Sequence, residues 1–356
     1  MRLYDMIMES PGTIIDQGFH GAFTHLARRL RDAQCFMMSS DVSEACQEVC
    51  LSRPSSILSG QSQLRAPYPH IWIEWLPSER DKGARLNDKP KPNRMGCYLH
   101  SNPAGDKGTA IYVWHHKNMT DLSERYNFHE ITIDPFGIIF DWSGTSTTEP
   151  AMVQYARSVG LSVSDELLKK KYTEDRESFR KNLLQSDKWK NFAGNDKELE
   201  AYIELEKTTG IIPLDICRGM FESPTLGEQL KPGVKMYEDF MEDLSGEFSF
   251  TEAFLLMLNS RSKIMDQTRE DLSRLNKSRA KRHRLPLKEF IVTNLRLTKT
   301  QQNRADAAGM DREAARRHLV RGHFKVRSSG VYWYTAHMRG YGRNSPVARR
   351  EYTVRL

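Results

Sequence analysis

The chain has 356 residues, of which 53 are Lys or Arg, 46 are Asp or Glu and 38% are hydrophobic. That length allows more than one core, aromatic and β-branched residues are too plentiful for a disordered chain, and no apolar stretch approaches the roughly 20 residues that cross a bilayer. The net charge of +7 hides an asymmetry: residues 261–356 hold 24 Lys and Arg against 8 Asp and Glu, a net of +16, which leaves −9 for residues 1–260.

A basic block of that size is the usual electrostatic footprint of a polyanion partner, most often DNA or RNA. A solvated surface, or docking onto the chain's own acidic part, would produce the same pattern. The N-terminus shows no basic stretch followed by an apolar core, so no signal peptide is expected. The five scattered cysteines contain no C-x-x-C pair, which suits buried thiols in a reducing cytosol.

Residues 13–50 read as helical, with Phe19, Phe23, Leu26, Leu30, Val42, Ala45 and Val49 near helical spacing and Arg28, Arg29 and Arg31 on a solvated edge. Ser52 to Pro69 reads as a loop. Strands follow at 70–75, 94–100 and 110–114, then at 130–133 and 138–142 around Asp134-Pro135-Phe136-Gly137, which suits a type I turn. These runs predict an antiparallel sheet. Trp72, Trp75, Trp114 and Trp142 at strand spacing are expected in its core, and His100, His115, His116 and His129 lack companions at metal-ligand spacing.

Residues 150–260 read as helical, with helices starting near Ser164, spanning Glu198–Lys207, and buried over Ser249–Leu258. A basic helix is expected over Thr268–Arg282, stopped by Pro286, with the run Arg279 to Arg284 suited to gripping phosphates. A strand is expected over Glu289–Leu297, an exposed polar segment over 300–317 and a final strand over Arg350–Leu356.

Two alternating runs between His318 and Gly340 flank Ser328-Ser329-Gly330 and predict a β-hairpin. A three-residue loop sets Arg327 opposite Val331, Lys325 opposite Trp333, His323 opposite Thr335 and Arg321 opposite His337, which makes one face cationic. The other face then holds Val320, Phe324, Val326, Tyr332, Tyr334, Ala336 and Met338. A two-residue loop sets Lys and Arg opposite Tyr, and the three-residue loop is preferred on that ground.

No G-x-x-x-x-G-K-[ST], G-x-G-x-x-G, H-E-x-x-H, G-x-S-x-G or zinc-finger spacing is present, which argues against a P-loop ATPase, a Rossmann enzyme, a zincin and an α/β-hydrolase. Metal-independent RNA cleavage fits the hairpin's residue types: His323 and His337 as base and acid, Arg321, Lys325 and Arg339 as phosphate ligands, and Trp333 or Tyr332 as a stacking surface. In residue types on a sheet this face resembles the barnase-and-colicin-like ribonucleases. Binding without cleavage is the reading preferred here, because surface His, Arg and Lys faces usually only bind.

The segments Asp271–Leu287, His318–Arg327 and Gly330–Gly340 resemble a family of uncharacterised proteins of alphaproteobacterial phages and prophages, over roughly the last hundred residues. The resemblance implies a phage context in the host bacterial cytoplasm and no particular catalytic residues. Where that family often has Lys-Arg-Gly-Arg-Pro-Pro-Leu, this chain has Lys281-Arg282-His283-Arg284-Leu285-Pro286-Leu287, so a Gly-dependent minor-groove grip is not expected.

The expected architecture is α+β: a mixed domain with an antiparallel sheet over residues 1–150, an acidic helical segment over 151–260, and a basic helix-plus-sheet domain over 261–356. The expected partner is nucleic acid, contacted by Arg274, Lys277, Arg279, Lys281, Arg282, Arg284, Arg321, Lys325, Arg327, Trp333 and Arg339. No cofactor, metal or membrane is expected. A protein-interaction role as an anti-defence or virion factor, a protein partner and a homo-oligomer stay open.

Overall fold

The computed structural model describes residues 2–9, 17–77, 92–115, 131–143, 195–207, 209–222, 226–229, 235–262, 265–295, 318–320, 323–334 and 337–339. Within them, helices α1 (Leu3–Glu9) and α2 (Gln17–Leu30) lead into β1 (Gln34–Met38), α3 (Ser40–Ser52) and α4 (Pro54–Gly60). Strands β2 (His70–Trp75), β3 (Arg94–Ser101), β4 (Lys107–His115) and β5 (Ile131–Asp141) follow. After α5 (Asp196–Lys207) come β6 (Thr209–Pro213), α6 (Arg218–Glu222), α7 (Leu226–Gln229) and the long α8 (Lys235–Asn259). Then β7 (Met265–Arg269), α9 (Ser273–Ala280) and β8 (Phe290–Leu295) precede four short strands, β9 (His318–Val320), β10 (His323–Arg327), β11 (Gly330–Tyr334) and β12 (His337–Arg339).

Eight strands form one mixed sheet in the order β6-β5-β4-β3-β2-β1-β8-β7. β1 is parallel to both its neighbours, with Cys35 opposite Trp72 on one side and Phe290 on the other, and every other neighbouring pair is antiparallel. Helices and a mixed sheet bear out the α+β reading. Strands β7 and β8, from the basic part, belong to the same sheet as β2 to β5. No break between sheets falls at residue 261.

Successive residues of β2 point to opposite faces, and this fixes two helical layers. Trp72 and Glu74 face α1, while Trp75 meets Phe250 of α8 at 5.1 Å between ring centroids. Phe36 of β1 meets Phe254 of α8 at 6.1 Å on that same second face. Trp72, Trp75 and Trp142 are buried, as expected, and Trp114 is half-buried against the same core. The expected buried helix over Ser249–Leu258 lies within α8, with Ala253, Phe254, Leu255 and Leu256 fully enclosed. All five cysteines are buried and none is in a disulfide.

Glu74 is fully buried, and four donors hold it: the amides of Leu3 (2.8 Å) and Tyr4 (3.1 Å), Trp72 Nε1 (3.1 Å) and Arg94 Nη1 (2.8 Å). The carboxylate thus satisfies the first amides of α1, which have no partner inside their helix, and ties α1 to the sheet. Gly96 lets this happen. A Cβ there would lie 2.3 Å from the Trp72 ring.

Three expectations fail for identifiable reasons. The helix predicted across 13–50 is interrupted by β1, because a strand buried between two parallel partners is an apolar run without alternation and is indistinguishable from helix by periodicity. The loop predicted over Ser52–Pro69 contains α4, whose Pro54 sits in the first turn where a missing amide costs nothing. The predicted turn at 134–137 is a bulge inside β5: Ile111 pairs Gly137 and Val113 pairs Ile133, so three residues oppose Tyr112 alone. Pro135 has no amide to leave unpaired there, the Phe136 amide donates to Asp134 Oδ1 at 3.0 Å, and the Leu214 amide takes the Pro135 carbonyl at 3.0 Å.

The expected basic helix is shorter than predicted. Residues 265–269 pair with β8 as an edge strand, and an Asp271 carboxylate accepting from the Ser273 amide at 3.0 Å starts α9 at Ser273. The segments around Ser164, 300–317 and 350–356 lie outside the described residues.

Candidate functional site

From Ser273 to Lys288 there are seven Lys and Arg and no Asp or Glu. The segment holds its shape by backbone bonds. The Arg284 amide reaches the Arg279 carbonyl and the His283 amide reaches that of Ala280, both at 3.0 Å, with His283 at φ 53°. That is a Schellman end with His where Gly is usual. Asn276 then pins the return of the loop, its Oδ1 accepting from the Leu287 amide at 2.7 Å and its Nδ2 donating to the Leu287 carbonyl at 2.9 Å.

Among the cations predicted there, Arg274, Lys277, Lys281, Arg282 and Arg284 are exposed. Arg279 is not. Its Nε donates to the Leu285 carbonyl at 2.7 Å and its Nη2 meets Glu9 at 3.3 Å, so it braces the loop instead of facing a ligand.

β10 and β11 form the predicted hairpin, but in the other register. Arg327 pairs Gly330, Val326 pairs Val331, Lys325 pairs Tyr332, Phe324 pairs Trp333 and His323 pairs Tyr334, so the loop is Ser328-Ser329. Gly330 takes φ 129°, and a Cβ on it would meet Arg261 Nε at 2.9 Å. One face now carries Phe324, Trp333, Val326 and Val331, with Phe324 and Trp333 edge to face at 4.8 Å. Trp333, expected on the wet face, is 6% exposed and belongs to the core. The Trp333 amide donates to Ser260 Oγ and Ser262 Oγ, both at 3.2 Å, and the Arg261 amide to the Val331 carbonyl at 3.0 Å, so the ribbon is docked on the end of α8.

The opposite face gathers His323, Lys325, Arg327, Tyr332 and Tyr334. Arg327 lies 5.4 Å over the Tyr332 ring and donates to Tyr334 OH at 2.8 Å; Lys325 lies 5.9 Å over the Tyr334 ring, on which His323 stacks at 5.6 Å. Cations opposite tyrosines, which argued against this register, are attractive contacts. Arg321 lies outside the described residues. His337 pairs Val320 and Arg339 pairs His318, so the expected pairing of His337 with Arg321 does not form and no pairing joins His337 to His323.

A second set of imidazoles was missed because its members are 30 residues apart. His70 and His100 pair across β2 and β3 and stack at 4.7 Å and 12°, and His70 Nδ1 is 2.7 Å from Tyr98 OH. Burial, the neighbouring His70 and then Arg29 lower the His100 pKa, which keeps that ring neutral at physiological pH. His115 instead pairs Arg94, and His116 and His129 lie outside the described residues. Among the described residues no three His, Cys, Asp or Glu side chains gather as metal ligands, and no helix is long and apolar enough to cross a membrane. No protein family, no curated protein and no solved structure matches this chain.

Proposed function

We propose that this chain binds nucleic acid in a phage or prophage context, using the basic segment around α9 and the exposed face of the β10–β11 hairpin. The observation that carries the reading is the shared face of Lys325, Arg327, His323, Tyr332 and Tyr334. Cations interleaved with rings serve both parts of a strand: the cations take phosphates and the rings take bases, whatever the sequence. An unstacked single strand uses such a face better than a duplex does, since its bases are free to stack.

The test is fluorescence anisotropy of labelled single-stranded RNA, single-stranded DNA and duplex DNA against salt. Binding that weakens as log[salt] rises, with a slope that flattens by about 0.7 per lost single-strand phosphate contact in Lys325→Ala and Arg327→Ala, is the expected result. No anisotropy rise at low salt sinks the reading and points to a protein partner. The ribonuclease reading needs His323 and His337 in one site, and it has no comparable support from the pairing.

A further inference from the structure

Between the N-terminal ends of β1 and β2, the end of β7 and the segment returning from α9 lies a pocket of about 480 Å³. Its wall includes Tyr68, His70, Gln34, Asn276, Arg269 and Lys288. That volume falls within the usual range for small-ligand pockets. Its lining is not that of a packing gap. Tyr68 keeps 42% of its surface exposed beside it, although its ring rests 6.3 Å from Phe36 of the core.

The donor set narrows the ligand. Arg269 and Lys288 supply two cations, but Asp32 and Glu289 also line the pocket, so a polyphosphate gains little from it. Two rings, two amides, two acids and two cations suit a molecule with a flat, neutral, hydrogen-bonding part and a single phosphate. Lys288 Nζ donates to the Arg31 carbonyl at 2.8 Å and has two protons left; Asn276 keeps one donor and one acceptor after its two bonds to Leu287. The His70 ring is held by Tyr98 OH and by the His100 stack, so the wall's imidazole is fixed in place before any ligand arrives.

The position supports the same ligand. Asn276 stands in the wall while its helix neighbours Arg274 and Lys277 are exposed beside it. We infer that the pocket receives one nucleotide of a bound strand, its base stacked on Tyr68 and read by Gln34, Asn276 and His70, its phosphate held by Arg269 and Lys288. This rests on the nucleic-acid reading, because the strand reaches the pocket from α9.

The experiment pairs two signals on one single-stranded oligonucleotide, an end label for anisotropy and a single 2-aminopurine for base environment. The 2-aminopurine emission should change on binding. Tyr68→Ala should abolish that change and weaken affinity roughly tenfold, as loss of one stacked base does; Tyr68→Phe should restore both. Arg269→Ala, at an exposed position, should weaken binding without removing the emission change at saturation, and it guards against a folding defect in the Tyr68 variant. An anisotropy rise whose emission change survives Tyr68→Ala overturns the pocket proposal and leaves the binding reading standing. Should the strand not bind at all, the binding reading falls and the pocket proposal falls with it; binding with an emission change that Tyr68→Ala removes upholds both.

Discussion

The two basic regions carry the same sign of charge and use it differently. Around α9 five cations stand in water, and among the described residues no ring lies over them; Arg279, their neighbour, is consumed by the Leu285 carbonyl and Glu9. On the hairpin fewer cations lie against Tyr332 and Tyr334. Those five cations can only attract phosphate, while the hairpin's lie against aromatic surface at fixed positions. Charge counting along the chain sees the two as one basic block.

Trp333→Ala should break the comparison most strongly. Removing a buried indole costs about 3–5 kcal/mol, so the amide at position 333, which donates to Ser260 and Ser262, should lose its exchange protection while β1 keeps its own. Affinity for single strands should collapse to that of α9 alone; unchanged affinity would mean that the hairpin is not the platform. Glu252→Gln calibrates this by acting on both regions alike. Glu252 is fully buried, with Trp142 Nε1 at 2.9 Å and Gln61 Nε2 at 3.0 Å both donating to Oε1, and burial raises its pKa from 4.5 to about 7. The folded state therefore binds the proton more tightly, and stability falls as pH rises from 4.5 through 7. The glutamine variant should lack that fall and should be the more stable above pH 7, by on the order of 3 kcal/mol, in urea titrations across pH.

Smaller changes sharpen the contrast. Tyr334→Leu should weaken single-strand binding about tenfold with the salt slope kept, since stacking is lost and charge is not. The Arg282→Ala, Arg284→Ala pair should do the reverse, flattening the slope by about 1.4 while leaving base-dependent signals intact. A flattened slope in the first variant, or a steady one in the second, would erase the distinction. His283→Gly should have the least effect, stabilising the α9 end by roughly 0.5–1 kcal/mol, because a left-handed non-Gly residue is strained and Gly returns part of the gain as chain entropy.

What could be read in advance follows from where alternation was strict. His70-Ile71-Trp72-Ile73-Glu74-Trp75 and its partners up to Trp114 announced their strands. Gln34-Cys35-Phe36-Met37-Met38 did not, because strands on both its edges and helices on both faces of the sheet leave it an apolar run without alternation. Asp134-Pro135-Phe136-Gly137 carried every mark of a turn, yet only tertiary pairing along β4 reveals one strand bulging past Tyr112. The hairpin's existence was legible and its register was not. Tyrosine is amphipathic enough to serve either face, so both loop lengths offered a plausible apolar side until Trp333 and Phe324 settled on the core. His70 and His100 met only through the β2–β3 pairing, which local spacing does not encode.

The place of β1 has a consequence for how the chain is made. Its two edges are filled by β2, which follows within about 40 residues, and by β8, whose Phe290 pairs Cys35 from 255 positions away. During synthesis one side of β1 therefore stays unpaired until residues 290–295 have left the ribosome, an open edge of the kind that recruits other strands. The basic part is not an appendage that can be trimmed from a finished body; it is the piece whose arrival closes the sheet.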